Sequence, residues 1–312
     1  VIASGRSLEL EGTQIEDTFA EAFRMRFVRL IVTAHDQHWL DAAVRELTGY
    51  SSSIISCDSE AARERLLDPS ETPDGRPGAA ILIFGFSTEE LAAVVPNRVG
   101  QCVMTCPTTA VYDGGATGDE SILLGKTIRY FGDGFQKSKV IGGRRYWRIP
   151  VMDGEFLIEH TAQVAKGIGG GNFIIQASTQ TAALAAARRA IEAIDPLPGV
   201  ITPFPGGVAR SGSKVGSRYK ALKASTADAY CPTLRGRVPT KLAEGANAAY
   251  EVVIDGVDEA AIARAIAVGV RAAAGREVLG ITAGNYGGKL GKFHFHLREI
   301  LRQPDSLAGE KG

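Results

Sequence analysis

Residues 248–254 read Ala248-Ala249-Tyr250-Glu251-Val252-Val253-Ile254, an apolar run of high strand propensity with one carboxylate inside it. Asp258 follows where a helix would be capped, and Ile262, Ile266 and Val270 recur four apart on one helical face. Val278 to Ala283 reads as a second strand, so the stretch spells one β-α-β unit. A last strand, Lys292 to Leu297, comes after it.

The same grammar extends outward. Asn172 to Ala177 predicts a strand, the next segment places Leu184, Ala187, Ile191 and Ile194 on one helical face, and Val200 to Pro203 closes that unit. In the first half, strands are expected at 27–33 and 52–56 around a helix over 37–48 that ends at Gly49. Ala79 to Phe84 and Val99 to Met104 are expected as strands around a helix opened by Ser87, with Glu90 three residues later completing a capping box. Two consecutive β-α-β units in one sheet form the split arrangement, so the pattern predicts an α+β protein of two ferredoxin-like (β-α-β-β-α-β) lobes related by internal duplication. Arg145 to Val151 and Glu155 to Glu159 flank Asp153-Gly154, a favoured turn composition, which puts the divide near residue 150: lobes 1–150 and 151–312. Residues 1–12 read as a poorly ordered lead-in. Long connections at 57–78, 105–126 and 204–247 are the expected carriers of function.

Composition narrows the function. Lys plus Arg and Asp plus Glu each number 35 in 312 residues, so the electrostatic signature of a nucleic-acid or polybasic membrane-surface binder is missing. No apolar run reaches the ~18 residues that span a bilayer, and the start carries no basic and apolar leader, which predicts a soluble, cytoplasmic protein. Cys57, Cys102, Cys106 and Cys231 are too scattered for a disulfide framework and read as structural thiols; Cys102 and Cys106 have no second pair at zinc spacing, and His35, His38, His294 and His296 read as ordinary histidines. Gly207 to Lys214 lacks the Lys-Ser/Thr end of a phosphate loop, and Gly167 to Gly171 precedes a strand where a dinucleotide fingerprint must follow one, so neither nucleotide chemistry is expected. Glu251 is either a solvent-facing position, an ion-pair partner, or a buried acid whose raised pKa suits proton transfer near neutrality. The loop Gly284-Asn285-Tyr286-Gly287-Gly288-Lys289-Leu290-Gly291 either turns a simple hairpin or offers N–H groups and a cation to an anion.

From about Ile15 to Leu297 the sequence resembles the formylmethanofuran:tetrahydromethanopterin formyltransferase family. The strings that carry this are Ile15 to Phe23, Glu71 to Gly78, Gly100 to Thr108, Phe131 to Gly134, Gly170 to Phe173, Pro203 to Gly207, Ser213 to Ser217, Ala224 to Thr226, Asp228 to Thr233, and Ala283 to Asn285 with Gly287 to Gly291. The resemblance implies a cytoplasmic enzyme that exchanges a formyl group between methanofuran and tetrahydromethanopterin, the two being carrier co-substrates, with no metal or permanently bound cofactor. It also implies two ferredoxin-like lobes, a homo-oligomer (dimer or tetramer), and, for a bacterial-type member, formylmethanofuran hydrolase subunits as partners and transfer from formyl-pterin to methanofuran. The family's catalytic glutamate falls on Glu251. Carrier-binding candidates on the shared strings are Gln101, Thr105, Asn172, Ser213, Lys214, Ser225, Thr226, Tyr230, Asn285 and Lys289, with Lys214 and Lys289 offered to anionic carrier groups. The alternatives are a non-catalytic pterin-binding or structural subunit of a formyltransferase/hydrolase assembly, and a nucleotide-dependent ligase, which the missing phosphate loop disfavours.

Overall fold

The computed structural model describes residues 8–212 and 214–302. They form two compact units, one of residues 25–167 and one that joins residues 8–24 to 168–302. The chain therefore changes unit twice, within two long strands, where the sequence led us to expect a single divide near 150.

The 25–167 unit contains most of β1 (Phe19–Thr33), α1 (Gln37–Leu47), β2 (Glu60–Leu67), β3 (Gly78–Gly85), α2 (Thr88–Arg98) and β4 (Ala110–Asp113). The strands pair antiparallel in the order β2-β3-β1-β4. Asp36 and Ser87 cap the helices by accepting from the Trp39 and Glu90 backbone N–H, and the Glu90 carboxylate takes the Phe86 N–H. Alternate strand residues Val28, Leu30, Val32, Ile81 and Ile83 pack with Leu40, Leu47, Leu91 and Val95 from the helices.

Two expected strands are displaced here. Residues 52–56 are turn, and the edge strand is Glu60–Leu67, whose charges Glu60, Arg63, Glu64 and Arg65 hide a strand signature. Val99–Met104 does not form a strand either: Val99 to Val103 continues α2 as a π-helical turn, with both valines fully buried at a four-residue spacing, and the strand comes later as β4. The strands Arg144–Val151 and Gly154–Glu159 form the expected hairpin about Asp153-Gly154.

The sheet face turned away from these helices carries polar residues in closed pairs. Arg29 donates to both Glu64 oxygens at 2.7 and 2.8 Å. Asp74 Oδ2 accepts from Thr33 Oγ1 (2.7 Å), Arg76 Nε (2.8 Å) and the Tyr112 hydroxyl (2.9 Å). Burial pushes the Asp74 carboxyl up, but the hydrogen bonds and charge of Arg76, with those of Thr33 and Tyr112, outweigh it and hold its pKa below the usual range.

The second unit contains β5 (Ala162–Ala177) from residue 168, α3 (Gln180–Ile194), β6 (Val200–Ile201), β7 (Ala248–Gly256), α4 (Glu259–Ala273) and β8 (Val278–Thr282). Its antiparallel order is β6-β7-β5-β8, the same permutation as in the first unit. Thr13–Ile15 adds parallel to β8, and Leu8–Leu10 folds back on it, so the described part of the expected lead-in is a paired hairpin. Phe293–His296 pairs with the start of β1. A bulge between Ile168 and Gly171 bends β5; Gly170 sits there at φ +85° with the Phe23 ring against it.

In α3 the buried face is Ala182, Ala183, Ala186, Ala187, Ala190 and Ile194, while Leu184 is 51% exposed, contrary to the expected stripe. Small residues win because the helices lie close over the sheet: a Cβ on Gly269 of α4 would fall 2.7 Å from Ile194 Cδ1 and 2.8 Å from Phe173 Cζ. The core joins Phe173, Ile175, Val252 and Ile254 to Ile262, Ile266 and Val270.

Candidate functional site

Because strand side chains alternate, burying Phe173, Ile175, Val252 and Ile254 under the helices sends Asn172, Ile174 and Glu251 to the other face. Ile174 lies opposite Glu251 on β7 and opposite Thr282 on β8, so one row across three strands places the carboxyl and the hydroxyl on either side of an isoleucine. Ala209 extends this row on the far side of β7.

Two loops close over Glu251. A Cβ added to Gly212 would stand 3.5 Å from Glu251 Oε2, and one added to Gly284 would stand 3.4 Å from Oε1. The 211–227 segment is tied down by the Ala227 N–H, which donates to Ser211 O, and by the antiparallel pair Lys214–Val215 with Ala224–Ser225. Thus glycine backbone flanks both carboxylate oxygens. Among the described residues no cation pairs with Glu251, and burial alone pushes its pKa up to about 7, even though part of the side chain still meets solvent. Half-buried Tyr230 is close enough to feel it: burial raises the phenol's pKa, a hydrogen bond with Thr282 opposes that, and the Glu16 and Glu251 carboxyls add to the rise.

The other expected contacts divide by what already occupies them. Asn172 donates to the Gly170 and Gly284 carbonyls at 3.1 Å each, and its Oδ1 accepts from the Gly284 N–H at 2.6 Å, so it clamps the loop wall. Asn285 donates to Thr18 Oγ1 and Phe19 O. Ser225 donates to Gly216 O, Thr226 to Ser211 O, and Lys214 is ion-paired with Asp228 at 2.5 Å. Lys289 is exposed on the glycine loop. Ser213 lies outside the described residues. Gln101 and Thr105 belong to the 25–167 unit, exposed on the π-helical turn and just after it, where the Thr105 hydroxyl donates to Gln101 O.

One residue escaped the sequence reading. Glu21, 1% exposed, accepts from the backbone N–H groups of Tyr286 (2.6 Å), Gly288 (2.9 Å), Leu290 (2.6 Å) and Gly291 (2.5 Å). Of the two readings open for the glycine loop, its N–H groups do hold an anion, and that anion is part of the protein. Burial opposes the charge on Glu21, but the four N–H groups prevail and its pKa falls below the ordinary value. Its signal was present in Ala20-Glu21-Ala22, a carboxylate in an otherwise apolar alternation like that of Glu251.

Cys102 and Cys106 are half-buried thiols whose pKa burial raises, which suits packing better than nucleophilic attack. Among the described residues no three His, Cys, Asp or Glu side chains gather as a metal site, and no helix is long and apolar enough to cross a membrane. What remains is one carboxyl poised to exchange a proton near pH 7 between two backbone walls, an arrangement suited to general acid–base work.

Comparison with known proteins is consistent along the whole chain. Residues 8–151 match the family described as formylmethanofuran-tetrahydromethanopterin formyltransferase, and residues 154–300 match that enzyme's proximal lobe. The formylmethanofuran–tetrahydromethanopterin formyltransferase of Methylococcus capsulatus is 55% identical over 296 residues, covering 94% of this chain and 99% of the relative. A solved structure of the formyltransferase/hydrolase complex from Methylorubrum extorquens, in complex with methylofuran, contains a chain 45% identical with a TM-score of 0.92, covering 96% of this chain and 100% of that one. The Methanosarcina barkeri formyltransferase structure superposes with a TM-score of 0.89 at 44% identity, over 94% of this chain and all of that one.

Proposed function

Since the chain belongs to the formylmethanofuran–tetrahydromethanopterin formyltransferase family, we infer that it transfers a formyl group between methanofuran and tetrahydromethanopterin, with Glu251 as its acid–base group. The observation that carries the role of Glu251 is its uncompensated burial, with glycine backbone on both sides and a pKa of about 7. A pterin ring amine attacks the formamide carbon; as the C–N bond forms, Glu251 accepts the amine proton and the carbonyl oxygen becomes an oxyanion. The tetrahedral intermediate collapses when the methanofuran amine leaves, and Glu251 returns the proton to that nitrogen. A group half-ionised near neutrality serves both steps and both directions. No covalent enzyme intermediate is required, so the cysteines keep a packing role.

Several finer points of this reading rest on likeness. The shared strand permutation of the two units supports two duplicated ferredoxin-like lobes, and the family matches that meet between residues 151 and 154 support halves 1–150 and 151–312. Similarity to the chain in the Methylorubrum extorquens formyltransferase/hydrolase complex supports hydrolase subunits as partners, and we read the direction of transfer as formyl-pterin to methanofuran. We read the protein as a homo-oligomer with both carriers binding as co-substrates, and Lys289 and the 214–230 segment as their contacts.

The test is formyl transfer by the protein and by Glu251→Gln, with partner subunits present and absent. A rate loss of at least ~100-fold with carrier binding retained is expected. Equal rates would remove Glu251 from the chemistry, and no transfer by either protein would return the chain to a non-catalytic role.

A further inference from the structure

Glu21 has no place in the proton transfer just described, yet it is among the most completely coordinated side chains of the Glu251 unit. One carboxylate oxygen accepts from Tyr286 and Gly288, the other from Leu290 and Gly291. Its own backbone N–H donates to Gly284 O at 3.2 Å. A single residue of β1 thus bonds the backbone at five positions between 284 and 291, a segment that forms neither helix nor strand. Gly287 and Gly288, at φ +73° and +71°, allow successive N–H groups to converge on one anion. Gly291 is pressed so close that a Cβ would fall 2.4 Å from Ala22 O and 2.7 Å from Glu21 Cγ.

The start of this loop is the wall of the site. Gly284 is clamped by Asn172 on one side and by the Glu21 backbone on the other, and it faces Glu251 Oε1. We propose that Glu21 is a positioning residue for formyl transfer: its carboxylate, acting as a built-in anion in the 286–291 nest, holds Gly284 against Glu251 and keeps water from that carboxyl. The inference rests on the acid–base reading of Glu251. It also means that the N–H groups of residues 286, 288, 290 and 291 are already engaged and do not form the oxyanion site.

The environment of Glu251 makes this testable by titration. Around Glu251, β5 presents Ile174 and Asn172, β8 presents Thr282, the Val208–Ala209 strand presents Ala209, and the two loops present Gly212 and Gly284. Tyr230, with Glu16 near it, is the titrating neighbour on this side. Its phenol stays neutral through the relevant range. A change in the Glu251 ionisation on altering Glu21 therefore reports the loop wall.

Glu21→Gln replaces one acceptor oxygen by an NH2 that faces two N–H donors, which breaks half the nest. The expected result is a kcat at least ~10-fold lower, with the KM of both carriers changed less than about twofold, and a kcat/KM ionisation moved from near 7 toward the ordinary carboxylate range. Glu21→Asp keeps the charge but shortens the reach, and it should give a smaller shift in the same direction. It also supplies the measurement if Glu21→Gln does not fold, as judged by circular dichroism. Rate loss with an unmoved ionisation, unchanged kcat, or a rise in carrier KM at unchanged kcat would each overturn the proposal. Full activity in Glu251→Gln would instead overturn the reading on which it rests, so the two failures are distinguishable.

Discussion

The two units arrange their strands in the same order and bury one sheet face under two helices, but they treat charge on the opposite face differently. In the 25–167 unit Glu64 has Arg29, and Asp74 has Arg76, Thr33 and Tyr112. In the Glu251 unit, Glu21 has four N–H groups, whereas Glu251 has glycine backbone and an isoleucine. Burial opposes ionisation of Asp74, Glu21 and Glu251 alike, and compensation decides the net direction, which is down for Asp74 and Glu21 and up to about 7 for Glu251. Each unit has such a face; the missing counter-charge is what leaves the pKa of Glu251 raised.

The largest expected effect is on rate. If Glu251 must start ionised, kcat/KM falls about tenfold per pH unit below its pKa of about 7, and Glu251→Gln flattens that limb along with the activity. A limb that survives in the variant would assign the proton to another group.

Next comes the paired side of the comparison. Arg76→Met leaves Asp74 half-buried without its cation and should lower stability by about 3 kcal/mol in urea unfolding. A loss near zero would mean that Thr33 and Tyr112 suffice and that the ion pair contributes nothing net.

The pH dependence of stability should have opposite signs for Glu251 and Asp74. Glu251 has a raised folded pKa, so between about pH 4.5 and 7 the native protein keeps a proton that the unfolded chain has lost, and stability falls as pH rises through that window. Glu251→Gln should therefore stabilise at pH 8 by about 2 kcal/mol, reduced from the full shift because solvent reaches part of the side chain, and do little at pH 4. Asp74 has a lowered folded pKa, so its contribution is present above about pH 4 and is lost as pH falls through the folded value; Asp74→Asn should destabilise most at neutral pH. Equal thermal shifts at both pH values would break the contrast. The smallest effect is expected from Arg65→Met: the Arg65–Glu71 pair is 50% and 40% exposed, and its removal should leave the urea midpoint unchanged.

Legibility in the sequence followed apolar periodicity. Helices and strands with clear alternation, such as β7, α4 and β3, lie within a few residues of their expected bounds, and the shared strand order follows from them. The failures are physical in kind. β2 was hidden because an edge strand tolerates Arg63, Glu64 and Arg65, and Val99–Val103 was misread because a short apolar run fits a buried helical turn as well as a strand. Alanine carries little hydrophobic signal, so the expected stripe of α3 includes exposed Leu184 beside the buried Ala187 and Ile194 and leaves out Ala182, Ala183, Ala186 and Ala190. Glu251 stood out as a charge in an apolar strand, but its missing counter-charge depends on the loops at 212 and 284, which are close only in space. Glu21 shows the same limit, since its partners lie more than 260 residues away.

The way the chain enters and leaves its units has a bearing on the order in which they form during synthesis. Residues 25–167 are one uninterrupted stretch, whereas the other unit needs residues 8–24 to meet strands that follow residue 277, as when Thr13–Ile15 pairs with β8 and Phe19–Ala22 with Phe293–His296. On the ribosome the first unit can close while the unit that holds Glu251 still lacks its later strands. Residues 8–24 must wait until those later strands emerge, so Glu21 meets its N–H partners, 265 to 270 residues further along, only after the 25–167 unit has been made.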